Sequence, residues 1–175
     1  SPVHRLSSLL NFPSQTRQDW WLMIIDNASV DNSVIIINEF LKQNIELAKR
    51  TRIVKNKTNL GFAKAHNQAL AWTNSDYVFL LNQDVYLESN YIELLVEFLQ
   101  TNPNAAAVAG KLLKWNFSPH SFHVTELKNL QKLSQIDSVG LLMGRSRSVT
   151  ERGVGEFDTG QYNILTTVFG VSGAA

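Results

Sequence analysis

The chain has no cysteine among its 175 residues. That removes disulfides, thiolate metal sites and cysteine nucleophiles, and it fits a reducing compartment. It also has almost no net charge: 16 basic and 15 acidic residues leave +1. Without a basic field or a polybasic run, a nucleic-acid partner is not expected. No apolar run approaches the ~20 residues that cross a bilayer. Ser1 to Asn11 holds no long apolar core of a signal peptide. Several catalytic signatures are absent too. There is no G-x-x-x-x-G-K-[ST], no G-x-G-x-x-G after a strand and no G-x-S-x-G elbow. Gly153-Val154-Gly155 is too short to count, and Ser172-Gly173 makes no elbow. Of the four histidines, 4, 66, 120 and 123, only His120 and His123 have even a weak metal-ligand spacing.

What is present describes a globular chain. Hydrophobic residues make up 44% and charged residues 18%, enough for one domain with a core. Leu6, Leu9 and Leu10 suggest a short helix, broken at Asn11-Phe12-Pro13-Ser14. Leu22 to Ile25 reads as a strand stopped by Asp26-Asn27. A helix follows to about Lys42, with Ser29 or Asp31 as its N-cap and Val34, Ile37 and Leu41 on one face. Arg52 to Lys55 is a second strand, Asn56 to Gly61 a turn, and Phe62 to Trp72 a helix with Phe62, Ala65, Ala69 and Trp72 on one side. Tyr77 to Leu81 (YVFLL) carries no charge and reads as a third strand, buried on both faces. Asn90 and Glu93 resemble a capping box for a helix from Tyr91 to Gln100, ended by Asn102-Pro103. Further strands are expected within Ala105 to Leu113, around Gly110, and from Ile136 to Met143. Residues 144–160, rich in Arg, Ser and Gly, read as a surface loop or mobile segment.

Strands alternating with helices mean an α/β fold with a largely parallel sheet flanked by helices. On that scaffold, Asp26-Asn27-Ala28-Ser29, Asn56 to Gly61 and Asn82-Gln83-Asp84 all follow strands. They are expected on one rim of the sheet, at the carboxyl ends, where open α/β sheets bind ligands. Asp26 can accept from an imide N–H or a ribose hydroxyl. Gly61 opens a helix whose N–H groups can meet a phosphate or sugar. Asn67 is polar in a small, apolar helical stretch. His66 and Lys64 read as ordinary helix residues, and Trp20, Trp21 and Trp72 as packing. Asp84 is a hard oxygen donor suited to Mg²⁺ or Mn²⁺ on a diphosphate.

The segments IIDNAS (Ile24 to Ser29), NLGFAKAHNQAL (Asn59 to Leu70) and YVFLLNQDV (Tyr77 to Val85), in that order and spacing, resemble glycosyltransferase family 2. GKLL (Gly110 to Leu113), IDSVGLLM (Ile136 to Met143), RGVGEFDTGQYN (Arg152 to Asn163) and VFGVSGAA (Val168 to Ala175) are similar to its rhamnosyltransferase-like branch. The resemblance implies a GT-A, Rossmann-like fold and inverting, metal-assisted transfer from a nucleotide-diphosphate sugar, dTDP- or UDP-linked. The acceptor would be a saccharide or a lipid-linked molecule, as in polysaccharide biosynthesis. Asp26, Asn27, Ser29, Asn59, Gly61, Asn67, Asn82 and Asp84 would contact the nucleotide, and Asp84 its Mg²⁺ or Mn²⁺. Gly173 and Ala174 would form a turn beside the donor sugar and acceptor. The family's D-x-D appears here as Asn82-Gln83-Asp84, with one carboxylate fewer.

The resemblance further implies an incomplete catalytic domain. Its first strand would precede Ser1, and the general base that an inverting transfer needs would lie beyond Ala175. Residues 1–113 would bind the donor, and 114–175 would begin the acceptor side. A cytoplasmic location is expected, with attachment at the inner face of the membrane, and an exposed sheet edge would favour self-association. The competing reading is a catalytically incompetent nucleotide-binding or assembly module. A sugar nucleotidyltransferase would want an early Gly-rich loop with Arg and Lys, and none is present.

Overall fold

A computed structural model describes Leu9, residues 12–115 and residues 132–173. It divides into two compact units, Ser1–Asn90 and Tyr91–Ala175.

The first unit is built on one βαβ crossover. β1 (Leu22–Asp26) and β2 (Thr51–Lys55) pair in parallel, with Leu22 opposite Thr51 and Asp26 opposite Lys55. Parallel neighbours cannot be joined by a hairpin. Two helices make the return, α1 (Ser33–Gln43) and α2 (Ile45–Lys49). Ile37 and Leu41, four residues apart on α1, are buried together with Leu47 of α2 and Val54 of β2. Ile35, between the buried positions, is exposed, so α1 is one-sided despite its apolar composition. The helix begins later than the sequence suggested. Asn32 is its N-cap, and Asp31 instead accepts hydrogen bonds from the Ser33 N–H and Oγ just ahead of it. α3 (Phe62–Leu70) follows β2. It buries Ala65, whereas Phe62 and Trp72 are exposed: Phe62 stacks on His66, and Trp72 lies under the Arg52 guanidinium at 4.3 Å. Trp20 packs on Phe12 and Arg50, while Trp21 is exposed. Of the expected opening helix, only Leu9 lies among the described residues, and it is helical and buried.

Tyr77 to Leu81 is not a strand. Tyr77, Val78 and Leu80 are exposed at 40%, 47% and 37%. An apolar run becomes a strand only when a neighbour completes its ladder. Among the described residues β1 and β2 pair only with each other, so the parallel part of the fold is this pair.

The second unit begins with α4 (Tyr91–Thr101), which ends just before Asn102-Pro103. β3 (Leu112–Trp115) runs antiparallel to β4 (Lys132–Ser138). Gly110 lies ahead of β3, and its N–H donates to the Tyr91 hydroxyl at 2.9 Å. A Cβ there would sit 2.6 Å from the Tyr91 ring, so only glycine allows this approach. The strand expected from Ile136 to Met143 is two strands, β4 and β5 (Leu141–Met143), parted by Gly140 at φ +103°. Ser138 Oγ stabilises the break by accepting the Gly140 N–H at 3.1 Å and donating to Glu151.

Residues 144–160 are more ordered than their composition suggests. β6 (Val149–Glu151) forms a hairpin with β5, and Gln135 bridges Phe157. Lys111 Nζ then ties down the end of this stretch. It donates to Asp158 Oδ1 and Oδ2 at 2.8 and 2.7 Å and to Asn163 Oδ1 at 2.6 Å.

Two stability predictions follow from these contacts. Ile136 is fully buried. Ile136→Ala should cost about 2–5 kcal/mol and Ile136→Val about 0.5–1.5, read from urea midpoints. The Lys111 ammonium, and then the Gly160 N–H, hold the Asp158 carboxyl below the ordinary carboxylate range. A depressed folded value contributes stability above the unfolded value and loses it as pH falls through the folded one. Stability should therefore drop in acid below about pH 4, and less steeply in Asp158→Asn, in urea titrations across pH.

Candidate functional site

The register of β1 and β2 decides where the first two polar turns go. Because Asp26 lies opposite Lys55, both strands end at one rim, and the segments after them leave side by side. The Asn56 N–H continues the ladder by donating to Asp26 O at 2.9 Å. This is the carboxyl rim, the usual ligand side of an open α/β sheet.

The two turns are closed onto each other by side-chain amides. Asn27 Nδ2 donates to Asn59 Oδ1 at 2.9 Å and towards Gly61 O at 3.4 Å. Asn27 Oδ1 accepts from the Leu60 N–H at 3.0 Å and from Asn56 Nδ2 at 3.1 Å. The Gly61 N–H donates to Asn59 Oδ1 at 2.9 Å. Asn56, read from the sequence only as the start of a turn, is thus part of the arrangement. Its signal was an amide residue directly after the strand. On the other side of Asn27, Asp26 Oδ1 accepts the Ser29 N–H at 3.0 Å, and Ala28 takes φ +67° to make that turn. Asp26 thus spends one carboxylate oxygen on the chain.

Gly61 is the N-cap of α3, at φ 81° and ψ 166°, a region essentially open to glycine alone. A Cβ there would meet nothing within 4 Å, so the requirement is conformational, not steric. It turns the start of α3, with its unpaired N–H groups and favourable field for anions, onto the same rim. Asn67, on α3, is exposed. His66 Nδ1 lies 2.9 Å from Phe62 O, an ordinary contact within the helix.

The third turn stands apart from this ladder. Asn82 is half-buried, and Gln83-Asp84 form an exposed turn after Tyr77 to Leu81, which is not a strand. The sequence expectation that parallel pairing carries it to the rim is therefore not met. Among the described residues no three His, Asp or Glu side chains cluster to hold a metal. A lone exposed aspartate suits an ion delivered with a diphosphate, since Mg²⁺ is commonly held by one or two carboxylates plus phosphate oxygens. Gly173 is an exposed turn residue of the second unit. Ala174, His120 and His123 lie outside the described residues.

The sequence model of Glycosyl transferase family 2 matches residues 4–148. The chain belongs to glycosyltransferase family 2. The matched span contains all three polar turns and ends before Gly173. Among relatives, an uncharacterized glycosyltransferase of Haemophilus influenzae is 26% identical over 136 residues, 78% of this chain and 50% of its own. A second from that organism is 29% identical over 107 residues, 61% of this chain and 31% of its own. The chondroitin synthase of Pasteurella multocida is 36% identical over 88 residues, 50% of this chain and 9% of its own. The chain thus spans half or less of the length of these family members.

Gly61→Ala tests the strained opening of α3. It should cost about 1–3 kcal/mol in urea unfolding, because alanine must adopt a backbone region it avoids.

Proposed function

We propose that this chain carries the donor-binding part of an inverting glycosyltransferase. It would transfer a sugar from a dTDP- or UDP-linked donor to a saccharide or lipid-linked acceptor. The observation that carries this reading is the amide-closed rim. Turns about 30 residues apart in sequence (Asn27 and Asn59 are 32 apart) are held together where β1 and β2 end, beside the N-terminus of α3.

Asp26 offers its remaining carboxylate oxygen to a pyrimidine imide N–H or a ribose hydroxyl. The Ser29 turn keeps that carboxylate in place. Asn59 and the first turn of α3, which Gly61 opens, face the nucleotide with N–H donors, and Asn67 extends that surface along the helix. Asn82 and Asp84 are the diphosphate end of the site, with Asp84 as the carboxylate that would hold Mg²⁺ or Mn²⁺. The ion would neutralise charge building on the departing diphosphate. In an inverting transfer the acceptor oxygen attacks the anomeric carbon, the bond to the diphosphate oxygen breaks, and a base takes the acceptor proton. We assign no residue of this chain to that base. Gly173 and Ala174 are proposed beside the sugar and acceptor.

Among the described residues no helix is long and apolar enough to cross a membrane. The reading puts the chain on the cytoplasmic side, attached peripherally at the inner face, where a lipid-linked acceptor would meet the donor. A second reading, a nucleotide-binding or assembly module without transfer, is favoured by the β1–β2 pair, whose strands have no further strand partner among the described residues. Release of nucleoside diphosphate from a sugar donor by the purified chain would exclude it.

Calorimetry with UDP and dTDP, with and without Mn²⁺, tests the leading reading. Binding strengthened by the metal is expected. Asp84→Ala should remove that strengthening and leave the metal-free affinity in place. No binding of either nucleotide by folded protein would overturn the reading.

A further inference from the structure

Backbone N–H groups only donate, so each fixes the orientation of a side-chain amide that receives it. The Gly61 N–H meets one atom of the Asn59 carboxamide at 2.9 Å, and that atom must be the oxygen. The Leu60 N–H fixes the oxygen of Asn27 in the same way, at 3.0 Å. The remaining directions then follow. The Asn27 amino group faces Asn59 Oδ1 at 2.9 Å and Gly61 O at 3.4 Å, and Asn56 brings a second donor to Asn27 Oδ1 at 3.1 Å. A carboxamide has two acceptor positions and two donor hydrogens. All four of Asn27's are engaged within the protein. Asn59 is half used: its oxygen takes two donors, and its exposed amino group keeps both hydrogens.

We infer that Asn27 is a positioning residue and does not touch the ligand. It locks the Asn59 carboxamide with the oxygen inward and the amino group outward, so that Asn59 donates to an acceptor oxygen of the bound nucleotide. This assignment rests on the donor-binding reading above. It accounts for an amide at position 27, where a carboxylate would serve equally well as an acceptor. Aspartate could still receive Leu60 N–H and Asn56. It would also face Asn59 Oδ1 with a second oxygen and press the Asn59 amide to turn over. The Gly61 N–H would then lose its acceptor, and the outward donor would be lost with it.

Three variants and two readouts test this. Amide exchange of Leu60 and Gly61 is followed by NMR in the nucleotide-free chain, with the buried Val54 amide as the internal reference. Affinity for UDP and dTDP is measured by calorimetry. Asn27→Ala should speed Leu60 and Gly61 exchange about tenfold, leave Val54 unchanged, and weaken nucleotide binding by roughly three- to tenfold. Asn27→Asp should keep Leu60 protected, release Gly61, and weaken binding as much as Asn59→Ala does. Weaker binding in Asn27→Ala with unaltered exchange would mean direct ligand contact and would overturn the inference. Faster exchange with unaltered affinity would overturn it too, because the turn would lie outside the site. If the unaltered chain binds neither nucleotide, the donor-binding reading and the Asn59 assignment fall together. Unaltered exchange in Asn27→Ala, by contrast, sinks the positioning role alone.

Discussion

The parallel pairing of Leu22–Asp26 with Thr51–Lys55 is the constraint on which the first unit depends. A parallel pair brings the carboxyl ends of both strands to one rim, which an antiparallel hairpin cannot do. Ordering the intervening chain costs backbone entropy, and that cost is offset by burying Ile37, Leu41, Leu47 and Val54 beneath the crossover. Once the strands are aligned, the segments after Asp26 and Lys55 emerge as neighbours. The amides of Asn27, Asn56 and Asn59 then close them with hydrogen bonds of 2.9–3.1 Å. Such bonds add only about 1 kcal/mol each in net terms. Their value is directional, because they set which atoms of the rim remain available to a ligand.

The second unit solves a different problem. Its chain must double back several times, and it does so at places where a side chain takes over from the ladder. Gly140 breaks the run from β4 to β5, and Ser138 satisfies the freed N–H. Lys111 then reaches 47 residues along the chain to Asp158. That ion pair joins the GKLL segment to the RGVGEFDTGQYN segment. Two stretches that looked like separate family signatures are therefore one physical contact. Both ends are mostly shielded from water, at 21% and 19% side-chain exposure, so the pair is screened less than an open surface bridge.

Much of the first unit was legible in the sequence because its signals are local. Apolar spacing on α1, the turn residues at Asp26-Asn27 and Asn56 to Gly61, and glycine at the opening of α3 each act within a few residues. The residue types at the rim were legible to the same extent. Carboxylates and amides placed after strands mark the ligand side of an α/β sheet wherever those strands pair. Two of the misses share one cause. Tyr77 to Leu81 has the composition of a buried strand, but a ladder needs a neighbour that its own residues do not specify. Residues 144–160 look like loop, yet β5 supplies a partner and makes part of them strand.

The sequence by itself determined the family, the α/β class and the residue types at the rim: carboxylates, amides and a left-handed glycine. These follow from side-chain chemistry and short-range backbone preference, which do not depend on distant contacts. Only the tertiary structure decided which of those residues are spent on the protein. Asn27 and Asn59 are both asparagines of suggestive motifs. One is saturated by its neighbours and the other keeps a free amino group, because hydrogen-bond direction is set by backbone N–H groups that only the folded rim brings within reach.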